Sequence, residues 1–201
     1  MEEQKENLWT EFDNLENTDD VVILKAKALY KFLIALNIKS VSAFFEYEKE
    51  ELEPSLINDK YHELVIDVCI FYLHFIDRMA FESLGPKQRD IFMDILVSES
   101  KKALFNIFTE LGIDIKEIDF NNTFLYLYVK RQEEYEKFKE LVPKNDENML
   151  NTLFWEFGKK VSQILTGKNS NMAINVGVLQ FIIEPLVKVL ELPKLFGKPK
   201  S

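Results

Sequence analysis

Five ionisable side chains of this sequence recur at a spacing that a helix would turn into one stripe. Glu63, Asp67, His74, Asp77 and Arg78 lie in the run from Asp59 to Leu84, DKYHELVIDVCIFYLHFIDRMAFESL. With Glu63 as origin they fall at about 0°, 40°, 20°, 320° and 60°, and Ile70 and Phe81 share that side. His74 and Asp77 are close enough in such a helix to touch. Arg78 reaches Glu82 on one side or His74 on the other. Across Gly85 and Pro86, the residues Arg89, Asp90 and Asp94 open the next helix and could face the stripe.

Three kinds of chemistry suit that set. The leading reading is structural: a polar edge on a central helix, or an internal Asp–Arg or Asp–His pair that fixes helix register. The second is a divalent metal, since Asp and His at helical spacing with acids on a facing helix hold metals in four-helix bundles. Against it, no Glu-x-x-His occurs and the chain has only two histidines. The other, His62, lies about 120° around the helix from His74. The third is a pocket for a small anionic or polar ligand, with Arg78 as its anchor and His74 as an acid or base. Its candidate binding residues are His74, Asp77, Arg78, Asp67, Arg89 and Asp94. No residue is assigned as catalytic, and no cofactor beyond the metal alternative is implied.

Other chemistry-bearing residues point to less. Cys69 sits inside the apolar run VCIFYLHFI, where a buried inert thiol is expected. Glu133 and Glu136 have the spacing of an acidic metal motif, but no second such motif follows, so they read as a solvated helix face. Phosphate loops, dinucleotide fingerprints and nucleophile elbows are absent. The 17 Phe and 7 Tyr are core residues first, although so many rings could also line a cavity. No helix-turn-helix is apparent near the acidic N-terminus.

The elements that must position these residues follow from composition. Only 6 Gly and 6 Pro occur in 201 residues, so turns are few and elements long, which favours helices. A formal net charge of −9 argues against nucleic acid and against docking on anionic membrane. One cysteine excludes an internal disulfide and fits a reducing cytoplasm. The charge-free stretches Val68 to Ile76, Phe120 to Val129 and Asn169 to Ile183 are too short to span a bilayer. The N-terminus lacks the basic start and apolar run of a signal peptide, so a soluble cytoplasmic protein is expected. Only Arg78, Arg89 and Arg131 are arginine among the 25 basic residues.

Periodicity predicts an all-α, single-domain bundle over residues 1–201, with six to eight helices and mostly antiparallel neighbours. A peripheral N-terminal helix is expected within 1–17, over residues 3–16. Thr18 caps a helix to about Leu36; Asn37 ends it, and Ser40 caps a short one to about Tyr47. Pro54 marks a loop before the Asp59–Leu84 helix. Gly85 and Pro86 stop one helix and restart the next, which ends at Gly112. Residues 120–141 follow as a helix, although TFLYLYV is rich in strand formers. Asp146 caps a helix over 147–166 ended by Gly167. A last helix over 171–190 kinks at Pro185, and 193–201 form a frayed tail. That last helix is apolar around much of its circumference and needs cover, centrally or between subunits. With no catalytic motif, the leading functional expectation is a non-enzymatic helical protein that binds a protein partner or itself. The rival is a ligand- or metal-binding bundle, with or without an enzymatic activity, built on the stripe.

Overall fold

A computed structural model describes residues 15–50, 52, 54–140, 152–168 and 171–190. Among these the secondary structure is helical throughout and no strand occurs. Helices α1 (Asp19–Glu48), α2 (Pro54–Ser83) and α3 (Pro86–Glu110) are long. Helices α4 (Glu117–Tyr135) and α5 (Leu153–Thr166) follow, then α6 (Met172–Val178), which runs through a π-helical turn (Leu179–Ile183) into α7 (Glu184–Leu190). TFLYLYV is helix. Most of the helix expected over 3–16, the stretch 147–151 and the tail 193–201 lie outside the described residues.

Local signals place most helix ends. Thr18 accepts the first backbone bond of α1 from Val22, as an N-cap does, and Asp19 and Asp20 lie in the first turn, where acids oppose the helix dipole. Asn171 caps α6 by accepting from the Ala173 and Ile174 amides. Gly112 and Gly167 sit at φ 77° and 70°, a left-handed conformation open to glycine after a helix end. Gly85 behaves otherwise: it is extended and caps α3, with Pro86 in the first turn.

Three expectations are corrected. The break at Asn37–Ser40 does not occur, because both residues are buried inside a continuous α1. Asn37 Nδ2 donates to the Val65 carbonyl at 2.9 Å, a tertiary bond that outweighs the local preference of Asn for helix ends. Helix α2 begins at Pro54 rather than Asp59, with its proline in the first turn, where the missing N–H costs nothing. Helix α4 spans Glu117–Tyr135, starting earlier and stopping earlier than its periodicity implied, and residues 136–140 are turn and coil. At Pro185, which cannot donate to the carbonyl four residues back, the preceding turn widens to π geometry and Glu184 donates to the Leu179 carbonyl.

The chain divides into two compact units. Among the described residues, one comprises 15–35, 72–114, 189 and 190. Its buried apolar side chains include Leu29 and Leu33 of α1, Ile76 of α2, and Phe92, Leu96 and Phe108 of α3. Lys25 is buried here too, and its ammonium donates to Asn17 Oδ1 at 2.8 Å.

Among the described residues, the other unit comprises 36–50, 52, 54–71, 115–140, 152–168 and 171–188. Phe71 is central to it: its ring stacks on Phe157 of α5 at 4.0 Å between centroids and meets Tyr135 of α4 and Phe154 edge-on. Burying one such ring stabilises the fold by about 1.5–3 kcal/mol. Phe45 stacks on Tyr61, and Ser42 shares a 2.9 Å hydroxyl bond with Tyr61, so α1 and α2 meet there. Tyr47 packs on Phe181 of the π-helical turn. Gly158 and Gly177 have no space for a side chain. A Cβ at the first would lie 2.9 Å from Asn175 Oδ1, and at the second 2.7 Å from Glu48 Oε1.

Candidate functional site

Glu63, Asp67, His74, Asp77 and Arg78 all lie on α2, but they serve different surroundings. Every residue from Val68 to Ile76 is buried, so the centre of the stripe is dry. Glu63 is half exposed and accepts from Lys60 at 2.8 Å. Asp67 and His74 are each 2% exposed. Asp77 and Arg78 are half-buried, and Asp94 is exposed. Asp67 belongs to one compact unit and His74, Asp77, Arg78, Arg89 and Asp94 to the other. Within the latter, the structure brings Asp77 and Arg89 together. Arg89 Nε donates to Asp77 Oδ1 at 2.6 Å and Nη2 to Oδ2 at 2.5 Å, the two-pronged geometry of a guanidinium on a carboxylate. This bonding holds the Arg89 guanidinium above its usual range. Arg89 also reaches Asp90 at 3.0 Å. Among the described residues, no group of three or more His, Cys, Asp and Glu side chains is arranged to hold a metal ion.

Asp67 has a partner that its spacing could not reveal. Arg131 Nε of α4 donates to Asp67 Oδ1 at 2.7 Å, and Arg131 Nη1 donates to Glu134 Oε2 at 2.8 Å. Both members of the Asp67–Arg131 pair are almost fully buried. Burial pushes the Asp67 carboxyl above its ordinary range, and the charge and hydrogen bond of Arg131 only partly offset that. Burial likewise works against the Arg131 charge, but Asp67, joined by Tyr135 and Glu134, more than offsets it and holds the guanidinium above its usual range. One turn along, the buried phenol of Tyr135 is pushed well up, by burial first and by the Asp67 charge second.

Next to this pair, α4 and α5 leave a cleft of about 360 Å³. Glu134, Tyr135, Lys137 and Phe138 line one side. Glu156, Lys159, Lys160 and Gln163 of α5 line the other. Lys159 donates to both oxygens of Glu156 at 2.9 Å. Lys160 makes a long 3.4 Å contact with Gln163 Oε1. Partial burial lowers the Lys160 pKa, and the nearby Arg131 charge lowers it further. Among the described residues, neither Lys137 nor Lys160 has a carboxylate within ion-pair distance.

The same unit presents apolar surface. Ile118, Leu125, Tyr126 and Val129 of α4 are 43–68% exposed. Relative to Ile118 they fall at about 0°, −20°, 80° and 20°, one face of the helix. Lys130 lies 5.9 Å over the Tyr126 ring. The final helical stretch is covered on one side only: Ile174, Val178, Ile182 and Leu186 are buried, whereas Met172, Val176, Leu179 and Val187 are exposed.

The cluster of Arg131, Tyr135, Lys137 and Lys160 is absent from the candidates that spacing suggested. One signal for it was present. Arginine is rare in this chain, and a guanidinium is favoured over an ammonium where a buried carboxylate needs a fixed, weakly hydrated donor. Two of the three arginines, Arg89 and Arg131, do meet carboxylates in that way. The chain matches no protein-family model, and neither a curated protein nor a solved structure shows significant similarity to it.

Proposed function

We propose that this protein acts through protein–protein contact, and that the outer face of α4 pairs with the same face of a second copy. The observation that carries the reading is the row of large apolar side chains, Ile118, Leu125, Tyr126 and Val129, exposed along one side of a single helix. Contiguous exposed apolar surface of this kind marks interaction sites more often than scattered residues do.

The sequence of α4 suits pairing with itself. Consider two copies set antiparallel about a two-fold axis between Thr123 and Phe124. Ile118 then lies opposite Val129, and Leu125 opposite Asn122. Glu117 meets Lys130, so the ends of the contact carry opposite charges. Antiparallel packing also sets the helix dipoles in their favourable sense. A two-fold contact uses one patch twice, as most homodimers do. One helix face is a small interface, so a weak, concentration-dependent dimer is expected.

Sedimentation velocity over a wide concentration range tests this. The sedimentation coefficient should rise with concentration in the wild type and stay at the monomer value in Leu125→Glu/Val129→Glu. A wild type that remains monomeric throughout, or a variant that associates equally well, overturns it.

A further inference from the structure

We infer that the cleft between α4 and α5 binds a small organic monocarboxylate, with Lys160 and Lys137 meeting its charge and the ring of Phe138 meeting its apolar body. This site lies on the side of α4 away from the exposed apolar row and does not depend on self-association.

Size sets the first limit. A cleft of about 360 Å³ is at the small end of ligand-binding cavities, with room for one ring or a short chain rather than a nucleotide. Charge sets the second. Lys159 is committed to Glu156 and Arg131 to Asp67 and Glu134, so these five groups largely satisfy one another. Lys137 and Lys160 remain. Among the described residues, the groups lining and underlying the cleft thus comprise four cations against three carboxylates, in a chain whose net charge is −9. The local excess therefore runs against the bias of the whole protein.

The two carboxylates in the wall decide which anion fits. Glu134 and Glu156 stand beside the lysines and repel a multiply charged group such as phosphate, whereas a single carboxylate matches the single surplus charge. Lys160 gains most from such a ligand. Its half-buried ammonium has given up part of its hydration beside Arg131, the charges of Asp67 and Glu134 offset that only in part, and a bound anion adds a carboxylate in direct contact. Phe138, half-buried beside the cleft, offers the carbon surface that separates an organic acid from an inorganic ion.

The test is titration of the full chain with benzoate and butyrate, followed by amide chemical shifts. Inorganic phosphate and the neutral isostere benzyl alcohol serve as comparisons. At least one of the two acids should give saturable shifts confined to the ends of α4 and α5, and phosphate and benzyl alcohol should not. Lys160→Gln should weaken binding by about tenfold, the loss of one charge-assisted bond, and Lys160→Arg should restore most of it. If Lys160→Gln fails to fold by circular dichroism, Lys137→Gln makes the same comparison. Titration of Leu125→Glu/Val129→Glu should give the wild-type affinity. No saturable shift with either acid, equal binding of phosphate, or affinity unchanged in the lysine variants overturns the assignment.

Discussion

Arg131 donates to Asp67 at 2.7 Å across a separation of 64 residues, tying α4 to α2 inside one compact unit. Both side chains are almost fully dehydrated, so their attraction must offset a large loss of hydration. Such a pair contributes little relative to an apolar replacement, but either member left alone is costly. Asp67→Leu should therefore destabilise the protein by about 3–5 kcal/mol, and Asp67→Leu/Arg131→Met by much less. Urea denaturation of the two singles and the double measures the coupling. Additive losses would show that the pair does not act as a unit.

The same burial gives Asp67 a pH signature. Its carboxyl titrates above the ordinary 3.8 in the folded protein, so the folded state takes up this proton at a higher pH than the unfolded chain. The resulting stabilisation is complete below 3.8 and is lost as pH rises through the folded value. Asp67→Asn should remove this part of the pH dependence. Stability measured at several pH values above and below 3.8 should show wild type minus variant growing as pH falls through that interval. A constant difference would contradict the shift.

Cys69 should be chemically silent until the protein opens. It is fully buried among apolar side chains, and burial pushes its thiol up to about 12. The nucleophilic thiolate is then both scarce and inaccessible near neutral pH. Labelling with a disulfide reagent should proceed at the rate of unfolding and accelerate sharply in denaturant. Rapid stoichiometric labelling of the native chain would refute this.

Gly177→Ala should destabilise despite the better helix propensity of alanine. The propensity gain is about 1 kcal/mol. The new methyl, however, would stand 2.7 Å from Glu48 Oε1 and 3.1 Å from a Phe44 ring carbon, and both side chains are buried. Overpacking of this kind costs about 1–3 kcal/mol, so a net loss and a lower Tm are expected. A variant as stable as the wild type would mean that α6 can move away from α1 at no cost.

The candidate site was legible only in part. Asp67, His74, Asp77 and Arg78 were visible because a helix repeats every few residues, and the buried run from Val68 to Ile76 followed from its lack of charge. The Asp77–Arg89 pair was within reach because only the turn at Gly85 and Pro86 separates its helices. Arg131, Tyr135 and Lys160 were not, since nothing in local spacing says which distant helix will cover Asp67.

The amino-acid sequence by itself determined the helical class and most of the punctuation, since periodicity, N-caps and left-handed glycines act over one or two turns. Gly112, Gly167 and Asn171 illustrate this. Tertiary structure decided what local rules leave open. It kept α1 continuous through Asn37 by giving that side chain a partner at Val65. It gave Asp67 a buried arginine, and it left the Ile118–Val129 face of α4 in water. Each of these outcomes depends on which helices become neighbours, a competition among burial energies over the whole chain that no short stretch of sequence contains.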